Sequence, residues 1–290
     1  MKNFSFLFVL LLFGCNVDDV ININIQDSGI TTPSGNFELI IEQGDQPGGY
    51  SVDGSDIILD NPEQITKIIA DGYLVFDLPK LFRTVPNLRY LWAKNMTRSI
   101  GELKELPVSM QFFDVGEGNV RGEITLHERL ETFRMNQGNQ SKLDVEKLPS
   151  TLVNLCVNES KMYGEINENF PQGMKRFVSL VGNTIHGDYG KIQGLFPATF
   201  AIKGDNTINK YSNGLVDFSR VAMQQFLHYG NIGYGLSSND VDNLLIDLSK
   251  STWTKMKKLE IYGYHQPRTS KSDLAVQSLQ SQGVDVFTNE

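Results

Sequence analysis

MQFFDVGEGN (Met110–Asn119), LETFRMNQGN (Leu130–Asn139) and MKRFVSLVGN (Met174–Asn183) are three spellings of one phrase. It reads apolar, two variable residues, a large apolar residue, one variable residue, usually an apolar residue again, then a turn with Gly or Asn. Working outward, further copies begin at Leu88, Leu152, Pro197, Met223 and Met256, at steps of 20 to 33 residues. The fourth position is Leu91, Phe113, Phe133, Leu155, Phe177, Phe200, Phe226 and Leu259, large and apolar in all eight copies. Self-similarity at this period marks stacked coils.

Each phrase predicts one short strand whose alternate residues face opposite ways. Positions four and six face inward and stack on the same positions of the next coil. No coil buries its apolar face alone, so stability is a sum of repeat and neighbour terms. Asn119, Asn139, Asn183 and Asn206 are placed to bond the turn backbone, and their late position predicts a small bulge after each strand. The turns then often read x-Gly-acid-x: Val120-Arg121-Gly122-Glu123-Ile124, Met162-Tyr163-Gly164-Glu165-Ile166 and Ile185-His186-Gly187-Asp188-Tyr189.

The phrase resembles the L-x-x-L-x-L-x-x-N punctuation of leucine-rich repeats, and the Gly-acid turns resemble the L-x-G-x-I tail of plant-type repeats. The resemblance implies an α/β fold: a leucine-rich-repeat solenoid with a parallel concave β-sheet, short convex turns and a helical carboxyl-terminal cap.

The amino terminus differs. Lys2 precedes an almost wholly apolar run, Phe4–Phe13, too short to span a bilayer and suited to a signal-peptide core. It ends in Leu12-Phe13-Gly14-Cys15, which resembles the lipobox of bacterial lipoproteins, although Phe13 stands where the strict pattern favours a small residue. Residues 1–15 are therefore expected to be a lipoprotein signal peptide, with Cys15 lipidated. Cys156 then has no intrachain partner, since the chain has two cysteines. Asp18-Asp19 resembles the export signal of Bacteroidota-type lipoproteins; solvated linker charge explains it equally well.

Residues 16–36 read as a flexible tether. Residues 37–87 read as an amino-terminal cap. It has strands at Phe37–Glu42 and Asp56–Leu59, and a helix capped by Asn61, opened by Pro62 and faced by Ile65, Ile68 and Ile69. Leu74–Leu78 reads as a degenerate repeat. The repeats cover 88–264. Ser237-Ser238-Asn239-Asp240 predicts a capped helix with Val241, Leu244, Leu245 and Leu248 on one face. Residues 265–290 read as a carboxyl-terminal cap: a helix from Ser270 through Leu279, a stop at Gly283 and a last strand, Val284–Phe287. This end resembles the cap of leucine-rich-repeat lipoproteins from Bacteroidota, which implies a surface binding module.

Catalytic signals are missing from the sequence. His127, His186, His228 and His265 fall in different coils, and no metalloprotease, nucleophile-elbow, phosphate-loop or EF-hand pattern occurs. His228 falls at an inward position and reads as a packed histidine. Cys156 falls at position five of its strand, near Arg134, Asn136 and Asn158 but without a histidine to activate it. No enzyme activity, cofactor or metal is expected.

The remaining candidate is the concave face, where positions three, five and seven form rows. Tyr90, Trp92 and Phe112 cluster there as binding anchors, unless the amino-terminal cap covers them. Asp114, Arg134, Asn136 and Asn158 complete the candidate ligand-binding set. A net charge of −8 argues against a nucleic-acid partner, which normally needs a basic face, and none is expected. The expected function is a lipid-anchored, outward-facing outer-membrane protein that binds a protein or glycan partner and is a monomer, with the membrane met only through the anchor. The alternatives are a secreted hydrolase of polysaccharide or peptide and a structural envelope component.

Overall fold

A computed structural model describes residues 28–32, 36–94, 97–135, 139–158, 160–180, 182–192, 196–212 and 216–289. The expected signal peptide, Cys15, Asp18-Asp19, most of the tether and Asn136 lie outside the described residues.

The chain forms a β-solenoid of about seven turns. One wall is a 12-stranded sheet. From its amino edge it runs Gln46–Pro47, Phe37–Gln43, Ile65–Gly72, Tyr90–Lys94, Phe112–Val115, Thr132–Met135, Asn154–Val157, Arg176–Ser179, Thr199–Ile202, Ala222–Gly230, Thr252–Gly263 and Asp285–Thr288. Every pairing from Ile65–Gly72 onward is parallel. The phrase positions pair one to one: Tyr90 opposite Phe112, then Thr132, Asn154, Arg176, Thr199, Gln225 and Lys258. The opposite wall holds shorter strands, among them the parallel set Lys142–Asp144, Lys161–Ile166 and Thr184–Gly187.

The core lies between the walls. All eight fourth-position side chains are buried. Phe113 stacks on Phe133 at 5.3 Å, Phe177 on Phe200 at 5.4 Å and Phe200 on Phe226 at 5.5 Å. Such pairs add about 0.5–1.5 kcal/mol each beyond area burial.

The asparagines do more than brace their own turns. Asn183 Oδ1 accepts from the Met162 N–H at 2.7 Å, in the preceding coil, while its Nδ2 donates to Leu180 O at 2.7 Å. Asn206 repeats this on Ile185 and Lys203, and Asn139 accepts from Val120. Asn119 departs from the set: it is exposed and accepts from Arg121 Nε instead. The expected bulge is not in the long sheet, whose registers from Tyr90 to Ile202 have no shift. The extra residue is taken up by the turn. On the opposite wall the Gly-acid turns need glycine. Gly122 has φ 101°, and a Cβ there would meet Leu103 O at 2.2 Å.

The expected helix at 61–72 is a strand. Pro62–Gln64 makes one 3-10 turn, Asn61 caps nothing, and Ile65–Gly72 joins the long sheet with Ile68 opposite Leu91. Ile65-Thr66-Lys67-Ile68-Ile69-Ala70 is itself a copy of the phrase. Its first and fourth positions are three residues apart, which mimics one face of a helix, whereas its β-branched residues favour a strand. Nor is Leu74–Leu78 a repeat strand of the long sheet. Val75–Asp77 lies in the opposite wall beside Arg98–Glu102. Helix α1 (Leu78–Thr84) follows, capped by the Asp77 carboxylate, which accepts from the Lys80 N–H at 3.1 Å.

At the carboxyl end α2 (Ser238–Leu248) is capped by Ser237 and buries Val241, Leu244, Leu245 and Leu248, as the spacing predicts. A 3-10 turn, Ser270–Ser272, leads into α3 (Asp273–Ser281). Among the described residues no helix is long and apolar enough to cross a membrane.

Candidate functional site

The face of the long sheet turned away from the core carries the predicted residues. Positions three and five of adjacent strands are direct neighbours in a parallel ladder, so residues distant in sequence meet there. Tyr90 and Phe112 are such a pair and stack at 4.1 Å with 7° between ring planes. Trp92 meets Phe112 edge-on at 6.4 Å. All three are half-buried. The strand Ile65–Gly72 lies beside Tyr90–Lys94 in the sheet, and Phe37–Gln43 lies one strand further out. Lys67 Nζ sits 5.6 Å from the Tyr90 ring and 2.7 Å from Glu42 Oε1. Burial raises the Tyr90 hydroxyl pKa, with Lys67 opposing and Asp114 adding to the rise.

The next positions along the row are charged. Arg134 Nη1 donates to Asp114 Oδ2 at 2.8 Å. Asp114 is 5 % exposed. Burial raises its pKa, and this outweighs the opposing pull of Arg134 and Arg176. Arg134 Nε is buried with no hydrogen-bond partner among the described residues.

Tyr90, Trp92, Phe112, Asp114 and Arg134 therefore form one continuous patch. Asn158 stands at the end of the next strand, its backbone N–H donating to Met135 O at 3.0 Å. Its side chain bonds to none of the five.

Beyond Arg134 the face turns apolar. Cys156, Val178 and Ala201 form a small hydrophobic cluster separate from the main core, with Leu180 and Leu227 packed against it. Cys156 is buried, and its ladder neighbours Arg134 and Val178 include no base.

At the far end stands a second aromatic group. Tyr229 and Tyr262 meet edge-on at 5.1 Å, Tyr262 and Phe287 at 5.8 Å, and Lys203 Nζ lies 5.9 Å from the Tyr229 ring. Phe287 is 55 % exposed. Its signal in the sequence was the alternation of Val284-Asp285-Val286-Phe287, which puts it in the row of Trp92 and Glu260.

His228 is an inward, packed histidine. It is 1 % exposed, and its Nδ1 lies 3.2 Å from the Tyr189 hydroxyl. Burial and the neighbouring His265 push its pKa well down. Among the described residues no cluster of three or more His, Cys, Asp or Glu could hold a metal. An open groove of about 720 Å³ lies between Arg268, α3 and the Asp285–Thr288 strand. It is remote from the aromatic patch, and Arg268 and Asp273 in it are bonded to each other at 2.5 Å.

No protein family, curated protein or solved structure matches the chain.

Proposed function

We propose that this chain is a lipid-anchored, cell-surface leucine-rich-repeat protein that binds a protein or glycan partner on the concave face of its long sheet. In this reading the phrase strands are leucine-rich repeats, and α2 and α3 form a helical carboxyl-terminal cap. The observation that carries it is the half-exposed Tyr90–Trp92–Phe112 cluster beside Asp114–Arg134, in a sheet that Ile65–Gly72 continues on the amino side. Strands fix these side chains before any partner arrives, so little ordering entropy is lost on binding. Leu12-Phe13-Gly14-Cys15 after an apolar run supports the anchor and an outer-membrane location.

The test is an array of glycans and extracellular proteins probed with the full chain and with Trp92→Ala. The substitution is expected to weaken a captured partner by at least about 2 kcal/mol, as hot-spot aromatics do. Thermal melts should change by less than about 1 kcal/mol, as for surface changes. Unchanged binding would remove this patch as the site. For the anchor, Cys15→Ser should abolish lipid labelling and release the chain from membranes. Persistent membrane fractionation, with no palmitate uptake by the wild type, would refute it.

A further inference from the structure

We infer that the middle of this face takes an acidic, extended segment of a partner protein, an assignment that rests on the concave-face reading above. Four consecutive strands make up this middle: Thr132–Met135, Asn154–Val157, Arg176–Ser179 and Thr199–Ile202. Their outward positions carry Arg134, Arg176 and Lys203 and, among the described residues, no carboxylate. This stands out in a chain of net charge −8. Asp114, one strand away, is buried and bonded to Arg134, so it offsets at most one of the three cations, and the exposed Glu131 and Asp205 lie outside these outward positions. Arg176 is exposed and has no ion pair among the described residues. Lys203 is exposed and leans on the Tyr229 ring.

These cations stand around the apolar Cys156–Val178–Ala201 cluster with Leu180 and Leu227. A low-dielectric floor strengthens attraction to an arriving carboxylate, and arginine favours its planar, two-oxygen geometry. The same floor offers few hydrogen bonds. Asn154 Nδ2 donates to Thr132 Oγ1 at 3.2 Å, and Thr132 and Thr199 are buried. A sugar ring, polar on its whole rim, would leave hydroxyls unpaired there at a cost in affinity. A peptide that alternates carboxylate and aliphatic side chains satisfies both the cations and the floor. Arg134 to Lys203 spans three strand steps, about 14 Å, which about four extended residues cover.

The probe is a short fluorescent peptide of alternating glutamate and valine, titrated against the full chain. Glutamine–valine and lysine–valine peptides and an oligogalacturonate run beside it. The glutamate peptide is expected to bind, to weaken as salt rises, and to lose about tenfold or more in affinity in Arg176→Gln. Arg176→Glu should reverse the preference toward the lysine peptide. Circular dichroism checks that both variants fold, as exposed substitutions should. Equal binding of the glutamate and glutamine peptides, indifference to Arg176→Gln, or Arg176-dependent binding of the oligogalacturonate in place of the peptide overturns the assignment. Partners from the array separate the two readings. One that needs Trp92 but ignores Arg176→Gln leaves the binding face standing and removes only the acidic segment. One that ignores both removes both.

Discussion

The middle coils and the carboxyl end hold their cores together by different means. In the middle, the same contact is copied: Phe113 on Phe133, Phe177 on Phe200, and an asparagine bonded back to the coil before. At the carboxyl end the buried polar groups are each used once. Tyr189 meets His228, whose ring lies 4.3 Å from that of His265. His265 Nδ1 accepts from the Leu236 N–H at 2.8 Å, so its proton sits on Nε2, which donates to His228 O at 3.2 Å. The Tyr211 hydroxyl donates to Asp247 at 2.7 Å. Asp242 takes bonds from Thr269 and Ser272; burial pushes its pKa up, but these bonds together push it further down. Repetition makes the middle uniform, and its copied contacts are made by groups that do not titrate. The end gains a unique closure at the cost of titratable groups in its core.

The largest expected effect tests the copied part. Phe177→Ala opens a cavity against Phe170 and Phe200 and should cost about 3–5 kcal/mol in urea unfolding. A midpoint within error of the wild type would show that the stacked file is not what holds the coils.

Acid should divide the two regions. Burial lowers the His265 pKa from 6.5 to about 4, and holds His228 well below its ordinary value. Neutral imidazole therefore stabilises the fold fully above about pH 6.5. That contribution is lost as pH falls toward 4, amounting to about 3 kcal/mol for His265 alone. Hydrogen exchange in acid should lose protection over Ala222–Gly263 before Phe112–Ser179. Simultaneous loss would erase the distinction between the regions.

Asn183→Ala leaves the buried Met162 N–H without its acceptor and should cost about 1–3 kcal/mol by chemical denaturation. Asn119→Ala, at the exposed member of the same series, is the control and should stay within about 0.5 kcal/mol. Equal costs would mean that the ladder contributes nothing.

A smaller effect than that of Asn183→Ala belongs to Tyr211→Phe. Asp247 keeps its bond to Lys250 at 2.6 Å, so removing the hydroxyl should cost about 1 kcal/mol in the same assay. A much larger loss would show that the carboxyl end fails as one network.

Much of this was legible because the phrase dictates register. Once Phe112 and Tyr90 share position three, their stacking follows, as does the adjacency of Asp114 and Arg134 at position five. The Ser237 cap of α2 was equally readable, since its signal is local. The misreading at Ile65–Gly72 arose where strand phrase and helix face share a spacing, and only the parallel pairing to Tyr90–Lys94 decides between them. Asp77 as the cap of α1 lay hidden inside Leu74–Leu78, read as a degenerate repeat. The Tyr189–His228–His265 contact joins residues 37 to 39 apart, across turns whose path no local pattern specifies.

The direction of one strand decides what kind of edge the amino end of the long sheet presents. A parallel solenoid has two unlike ends, and end-to-end stacking of copies is a heterologous contact, which grows into fibres wherever its rotation does not close a ring. Here the amino edge reverses: Phe37–Gln43 runs antiparallel to Ile65–Gly72, and a turn at Gly44-Asp45 folds Gln46–Pro47 back over its outer side. Pro47 has no N–H to offer an incoming strand. Without this reversed hairpin, Ile65–Gly72 would present a parallel edge of the kind the Asp285–Thr288 strand of another copy could join. The reversed polarity of these few residues leaves no parallel edge at the end where the repeat would otherwise continue.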